Sequence, residues 1–137
     1  MSNNKRIVSV VDDEIHIAKL FYEALLENID GISVLSFVDP VMAFQHFTDN
    51  HESYALVISD LRMPSLNGLE LLKVKTLNPK VRTILMSAYN FEEDELYQKY
   101  MKEAVINSTI EKPVTMNRLY QRVRNELSIY HIVRSER

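Results

Sequence analysis

The segment Leu56-Val57-Ile58-Ser59-Asp60-Leu61-Arg62-Met63-Pro64 decides the fold prediction. The apolar run at residues 55–58 has the length and the β-branched content of a buried strand. The strand leads to a carboxylate at Asp60, and Pro64 prevents regular pairing from continuing. In open parallel sheets, functional groups gather at the carboxyl ends of the strands. Asp60 is therefore a candidate functional residue, although an acid after a strand is also a common turn or helix-capping residue.

Length and composition predict one soluble domain. The chain has 137 residues, of which 46% are hydrophobic and 26% charged, with a net charge of −3 and no cysteine. This charge gives no electrostatic footprint for nucleic acid or an anionic membrane, and the lack of cysteine excludes disulfides and thiolate zinc sites. The apolar run at residues 7–11 is too short for a signal peptide and Asp12 interrupts it. We predict a cytoplasmic α/β domain with no nucleic-acid or membrane partner.

Strands alternate with helices along the whole chain. Five apolar segments have strand character, at residues 7–11, 32–38, 55–58, 81–86 and 105–110. Helix-start signals follow the second to fifth segments: Asp39-Pro40, Asn67 with Glu70, Asn90 with Glu93, and Thr115 before a last helix that reaches about Val133. This alternation predicts a parallel sheet with helices on both faces. With only two glycines there is no glycine-rich phosphate-binding loop, so a dinucleotide or P-loop site is not expected.

Chemically active side chains follow four of the predicted strands. They should meet at one edge of the sheet: Asp12, Asp13, Asp60, Ser87 and Lys112. Three converging carboxylates repel one another unless a cation neutralises them, and oxygen ligands of this kind suit Mg²⁺. A lysine charge and a serine hydroxyl complete a set of groups that can receive a phosphoryl group on a carboxylate nucleophile.

Four short motifs in this order resemble the receiver domain of two-component response regulators. They are Val10-Val11-Asp12-Asp13-Glu14, Asp60-Leu61-Arg62-Met63-Pro64 continuing to Gly68-Leu69-Glu70-Leu71-Leu72, Ser87-Ala88, and Lys112-Pro113. The resemblance covers about residues 5–128 and leaves 129–137 as a C-terminal helix extension or linker. It implies a flavodoxin-like, doubly wound, five-stranded parallel sheet flanked by five helices, and a cis peptide bond at Lys112-Pro113.

The resemblance also implies a role for each site residue. Asp60 would be the phosphoacceptor that takes a phosphoryl group from a phosphohistidine on a sensor histidine kinase or phosphotransfer protein. Lys112 would pair with this carboxylate and then with the phosphoryl group, and Ser87 would bond a phosphoryl oxygen. Such a domain is a regulatory switch and not an enzyme, since it catalyses only its own phosphorylation and slow aspartyl-phosphate hydrolysis.

A magnesium site is the second implication of the resemblance. Its ligands would be the carboxylates of Asp12, Asp13 and Asp60 and the backbone carbonyl of Arg62. A metal-dependent phosphatase with a nucleophilic aspartate is a competing interpretation. Such enzymes generally carry a second acid two residues after the nucleophile, and Arg62 stands there instead.

The chain departs from the family pattern at two places, and one of them, Thr109, supports a different hypothesis. Thr109 occupies the place of the usual switch aromatic, and Glu103-Ala104 replaces the usual Gly-Ala pair before the fifth strand. The alternative is therefore a phosphorylation-independent protein-interaction module on a receiver scaffold.

The family commonly pairs or docks targets through its fourth helix, fifth strand and fifth helix. Near the end of the last predicted helix lie four large hydrophobic residues: Ile129, Tyr130, Ile132 and Val133. They could form a homodimer contact, begin a linker helix or pack back on the core. We place the surface for a homodimer or a target protein on this side of the domain.

Overall fold

A computed structural model describes residues 5–60, 75–87, 95–102 and 105–135 of the chain. It contains five strands, β1 (Arg6–Val11), β2 (Ile32–Phe37), β3 (Tyr54–Asp60), β4 (Arg82–Ser87) and β5 (Ser108–Glu111). The α-helices in the described ranges are α1 (Ile15–Asn28), α2 (Pro40–Asn50), α3 (Glu95–Lys102) and α4 (Met116–Ser135), and a short 3₁₀ turn covers His51–Ser53.

The predicted third helix lies largely outside the described residues, as does Arg62. The elements α3 and α4 therefore correspond to the fourth and fifth predicted helices.

The five strands form one parallel sheet in the order β2-β1-β3-β4-β5. This architecture confirms the predicted flavodoxin-like class. Because all strands run the same way, their ends form a carboxyl edge and an amino edge of the sheet. On β1, Val11 pairs with Phe37 of β2 and with Ser59 of β3, which places the residues that follow, Val38, Asp12 and Asp60, at one level.

Helices cover both faces of the sheet. On one face α1 and α4 pack against the strands through a cluster that includes Phe21, Leu25, Leu119 and Val123. On the other face α2 packs through Ala43 and Phe47. The central strand β3 is buried at every one of its seven positions, as expected for a parallel strand covered on both sides.

Local signals place the starts of α2 and α4 where the sequence predicts them, whereas the predicted helix starts at Asn67 and Asn90 lie outside the described residues. The side chain of Asp39 accepts a hydrogen bond of 2.9 Å from the Val41 amide, with Pro40 in the first turn of α2. Thr115 caps α4 by accepting from the Arg118 amide at 3.3 Å. Gly31, between α1 and β2, has a φ of 78°, a conformation that glycine adopts without a steric penalty.

The predicted start of β5 is wrong. The prediction began the strand at residue 105, whereas β5 spans Ser108–Glu111. The preceding residues bind the Thr83 side chain instead: its hydroxyl donates to the Val105 carbonyl and accepts from the Asn107 amide. These bonds hold residues 105–107 in a loop against β4.

The last helix continues past the sheet core. Tyr130 is buried within the α1–α4 cluster, whereas Ile132 is 63% exposed. Tyr130 therefore packs against the domain core, which is one of the three roles considered for the apolar residues near the end of this helix. Within the described ranges, no helix combines the length and the apolar character needed to cross a membrane.

Buried charges gather at the amino edge of the sheet. The Glu126 carboxylate on α4 accepts from Arg82 Nε at 2.7 Å and from Ser108 Oγ at 2.6 Å, which ties the helix to β4 and β5. Nearby, the buried Lys75 amine donates to Asn107 Oδ1 at 2.6 Å. Burial, helped by the charge of Arg82, lowers the pKa of Lys75 to about 8.

We expect Glu126→Ala to destabilise the domain by about 3 kcal/mol, because it removes one partner of a buried ion pair and leaves Arg82 uncompensated. Urea unfolding at neutral pH measures the change. The control is Glu23→Ala, whose exposed pair with Lys19 is 4.0 Å long and contributes at most about 0.5 kcal/mol. Equal small effects of the two substitutions would contradict the assigned role of Glu126.

The lowered pKa of Lys75 makes the free energy of unfolding depend on pH in the alkaline range. Its pKa is about 8 in the folded chain and 10.5 ordinarily, so between these values the unfolded chain binds more protons. The free energy of unfolding should therefore rise with pH across this window relative to that of Lys75→Met, which lacks the titrating amine. Urea unfolding of both proteins at a series of pH values tests this, and parallel pH profiles would refute it.

Candidate functional site

The carboxyl edge of the sheet brings the predicted site residues together. Asp12 and Asp13 directly follow β1, Asp60 ends β3, Ser87 ends β4 and Lys112 directly follows β5. Backbone hydrogen bonds between neighbouring strands continue into the site. After β1, the Asp12 amide donates to the Phe37 carbonyl of β2 at 3.0 Å. After β5, the Lys112 amide donates to the Ser87 carbonyl of β4 at 2.9 Å. Strand register therefore fixes the backbone of the site.

Three carboxylates form an acidic cluster at this edge. Asp12, Asp13 and Asp60 each place one carboxylate oxygen within 4.8 Å of the others. Asp12 and Asp60 are buried, whereas Asp13 is exposed. Burial is the main cause that raises the pKa of Asp12 above its ordinary value of 3.8, and the charges of Asp60 and Asp13 act in the same direction.

The two oxygens of Asp12 differ in their surroundings. Oδ1 accepts a hydrogen bond of 3.0 Å from the Glu14 amide, which orients the carboxylate at the start of α1. Oδ2 is buried and accepts no hydrogen bond from the described part of the chain. A buried carboxylate oxygen without a donor is costly unless a cation lies against it.

This arrangement fits a hard divalent cation. Mg²⁺ prefers oxygen ligands, keeps several waters and binds through one or two carboxylates together with substrate phosphate. Asp12 Oδ2 and the two neighbouring acids could supply such ligands at this edge of the sheet. The carbonyl of Arg62, the fourth expected ligand, lies outside the described residues.

Lys112 is the cation that the structure places in the cluster. Its Nζ lies 2.7 Å from Asp60 Oδ1 and 3.6 Å from Asp12 Oδ2, so it makes a hydrogen-bonded ion pair with the first and a longer contact with the second. Burial alone would lower the pKa of Lys112, but the hydrogen bond and the charge of Asp60 raise it above its ordinary value of 10.5. The lysine therefore stays protonated. The Lys112-Pro113 peptide bond is cis.

The remaining residues singled out in the sequence lie on β4 and β5. Ser87 is buried at the end of β4, where its carbonyl receives the Lys112 amide. Thr109 is half-buried in β5, where it pairs with Leu85. The orienting amide of Glu14 was not anticipated as a site group. The only signal for it is its place as the third acid of the Asp12-Asp13-Glu14 run, and the spacing alone does not reveal a backbone contact.

The comparisons with known proteins agree with the site. The family model for the response regulator receiver domain matches residues 8–124. The chain is 26% identical over 113 residues to the two-component response regulator ARR22 of Arabidopsis thaliana, covering 82% of this chain and 78% of that protein. It is also 26% identical over 111 residues to the transcriptional regulatory protein FlgR of Helicobacter pylori, but spans only 28% of that protein.

Solved structures show the same fold. A receiver domain from Clostridium thermocellum superposes with a TM-score of 0.80 at 27% identity, covering 93% of this chain and 98% of that one. The signal receiver domain of an HD domain-containing protein from Pseudomonas fluorescens Pf-5 gives a TM-score of 0.84, covering 100% and 97% of the two chains. At 21% identity the second likeness shows the fold alone. By its family match, its fold and its motifs, the chain belongs to the response regulator receiver domain family.

Proposed function

We propose that this receiver domain is a Mg²⁺-dependent switch that accepts a phosphoryl group on Asp60 from a phosphohistidine. The donor is a sensor histidine kinase or a phosphotransfer protein in the cytoplasm. The observation that carries the proposal is the pairing of Asp60 with Lys112 at 2.7 Å beside Asp12 Oδ2, which lies 3.6 Å from the same lysine and accepts no hydrogen bond from the described residues. The Lys112 ammonium group is thus already bonded to the proposed acceptor, and the carboxylates that would bind Mg²⁺ lie within 4.8 Å of one another in the same cluster.

The transfer itself is a simple displacement. An Asp60 carboxylate oxygen forms a bond to phosphorus while the bond from phosphorus to the donor imidazole nitrogen breaks, and the nitrogen keeps the electron pair. Lys112 holds the acceptor carboxylate and then offers its charge to a phosphoryl oxygen. The Ser87 hydroxyl would bond another phosphoryl oxygen, which would draw the end of β4 toward the acceptor. When bound by Asp12, Asp13, Asp60 and the Arg62 carbonyl, Mg²⁺ supplies positive charge for the remaining oxygens.

The output surface is part of the same proposal. We assign contacts with a second copy or a target protein to the face of α3, β5 and α4, and take residues 5–128 as the receiver domain with 129–137 as its extension. The end of α4 supports this assignment, since Ile132 remains 63% exposed although Tyr130, two residues earlier in the helix, is buried. An exposed large apolar side chain at a helix end is available for a partner contact.

A second function is favoured by one residue. Thr109 is half-buried at the position where the family usually carries an aromatic switch residue, so phosphorylation would have a smaller side chain to rearrange. In that case the domain would be an interaction module whose binding does not depend on phosphorylation. The two functions differ in whether Asp60 is modified and whether partner binding changes with it.

Phosphorylation is tested with a small donor. We expect phosphoramidate with Mg²⁺ to add one phosphoryl group to the wild-type chain, as measured by intact-mass spectrometry. Asp60→Asn should abolish the addition, because the amide is not a nucleophile at this position. Asp30→Asn, an exposed acid outside the site, is the control and should behave as wild type. An adduct that persists in Asp60→Asn, or no adduct in the wild type, would overturn the proposed acceptor.

Metal binding has a readout besides phosphorylation. We expect Mg²⁺ to raise the melting temperature of the wild-type chain by several degrees, since a ligand bound only by the folded state stabilises by about 2.7 kcal/mol at a hundred times its Kd. Asp12→Asn should lose most of this rise while melting no lower than wild type without metal, because one repelling buried carboxylate is gone. Asp49→Asn, on the exposed side of α2, should keep the response.

The comparison is made at constant ionic strength, so that general screening does not mimic binding. An equal Mg²⁺ response in Asp12→Asn and wild type would show that the cation binds elsewhere.

A further inference from the structure

Three apolar side chains are exposed where β2 passes into α2. Val38, Val41 and Met42, which we call the β2–α2 rim, are 44%, 51% and 60% exposed. Single exposed apolar residues are ordinary, but here three occur within five residues on one side of the domain. None of the groups in the phosphoacceptor site accounts for them.

Strand register places the rim close to the acceptor. Val38 lies level with Asp12 and Asp60, because Val11 pairs with both Phe37 and Ser59. In the order β2-β1-β3, two strand spacings separate Val38 from Asp60, or about 10 Å. The Asp39 cap begins α2 at the same edge, which keeps Val41 and Met42 in its first turn.

The area of a typical protein–protein interface indicates that a protein bound at Asp60 also covers the rim. Asp60 is only 7% exposed, so a protein that delivers a phosphoryl group to it has to sit on the carboxyl edge. A standard interface buries about 800 Å² on each partner, which corresponds to a disc with a radius of about 16 Å. A disc centred on Asp60 therefore includes Val38 and reaches the first turn of α2.

We propose that the β2–α2 rim is part of the docking surface for the phosphohistidine protein, which covers it with an apolar surface of its own. This inference rests on the proposed function. A second copy of the chain is a poorer occupant, because among the described residues this edge carries Asp12, Asp13, Asp60 and the neighbouring Glu14 against one lysine, Lys112. Two such edges facing each other would repel.

The test removes apolar surface without adding charge. In the double variant Val41→Thr/Met42→Gln, threonine keeps the shape of valine, and glutamine at the third helical position is compatible with the Asp39 cap. Leu26→Gln is the matched control: Leu26 is 52% exposed on α1, and eleven residues of helix, about 16 Å, separate it from the helix start at the carboxyl edge. Melting temperatures establish that each variant folds.

Each protein is assayed with two donors. One is phosphoramidate, and the other is the phosphohistidine domain encoded in the same genome that transfers fastest to the wild-type chain. We expect the double variant to lose on the order of tenfold in kcat/KM with the protein donor, since each 1.4 kcal/mol of lost contact energy is a factor of ten. Its rate with phosphoramidate should stay within about twofold of wild type, as should both rates of Leu26→Gln.

The outcomes separate the inference from the proposed function. Equal rates of the double variant and wild type with the protein donor would overturn the docking surface, as would an equal loss with phosphoramidate. A change in oligomeric state of the double variant, measured by sedimentation, would assign the rim to self-association and also overturn it. If phosphoramidate modifies Asp60 but no phosphohistidine domain transfers to it, the partner class is wrong and the inference falls. If Asp60 is never modified, the proposed function itself fails.

Discussion

The carboxyl edge of this domain concentrates negative charge, and the ion pair between Lys112 and Asp60 partly offsets it. Three carboxylates lie within 4.8 Å of one another, and in the described part of the chain the lysine approaches only two of them. The remaining imbalance falls on the buried Asp12, whose pKa is raised and whose Oδ2 accepts no hydrogen bond from any residue that the structure describes. A fold that tolerates this imbalance is poised to bind positive charge, and the chemistry of a receiver domain depends on that property.

The rest of the structure holds this edge in place. Parallel pairing on both sides of β1 and β3 sets Asp12 and Asp60 at one level, and the packing of helices on both faces fixes the strands. At the opposite edge, Glu126 joins α4 to β4 and β5 through Arg82 and Ser108. The sheet thus has an incompletely compensated charge cluster at one edge and a compensated, structural one at the other. The difference between them is that the structural carboxylate has a hydrogen-bond donor for each oxygen.

Strand ends and helix caps were the predictable part of the molecule. The apolar runs, Asp39-Pro40 and Thr115 are local signals. The parallel direction of the strands follows from their alternation with helices. Asp12, Asp60 and Lys112 could be grouped from sequence because each is adjacent to a strand end. The Glu126 network could not, because its members lie far apart in the chain and nothing in the helix pattern distinguishes a buried glutamate from an exposed one. The start of β5 was missed for a similar reason, since it depends on the contact of Asn107 with Thr83.

The complete burial of β3 has a further consequence for how long the site keeps its shape. A central strand enclosed by two neighbours and by helices exposes its amide hydrogens only when the whole domain opens, whereas helix ends and edge strands open locally at much lower cost. Asp60 is the last residue of this fully buried strand. Thermal fluctuations of peripheral elements therefore leave Asp60 fixed relative to β1 and β4, and the lifetime of its geometry is set by the global stability of the domain.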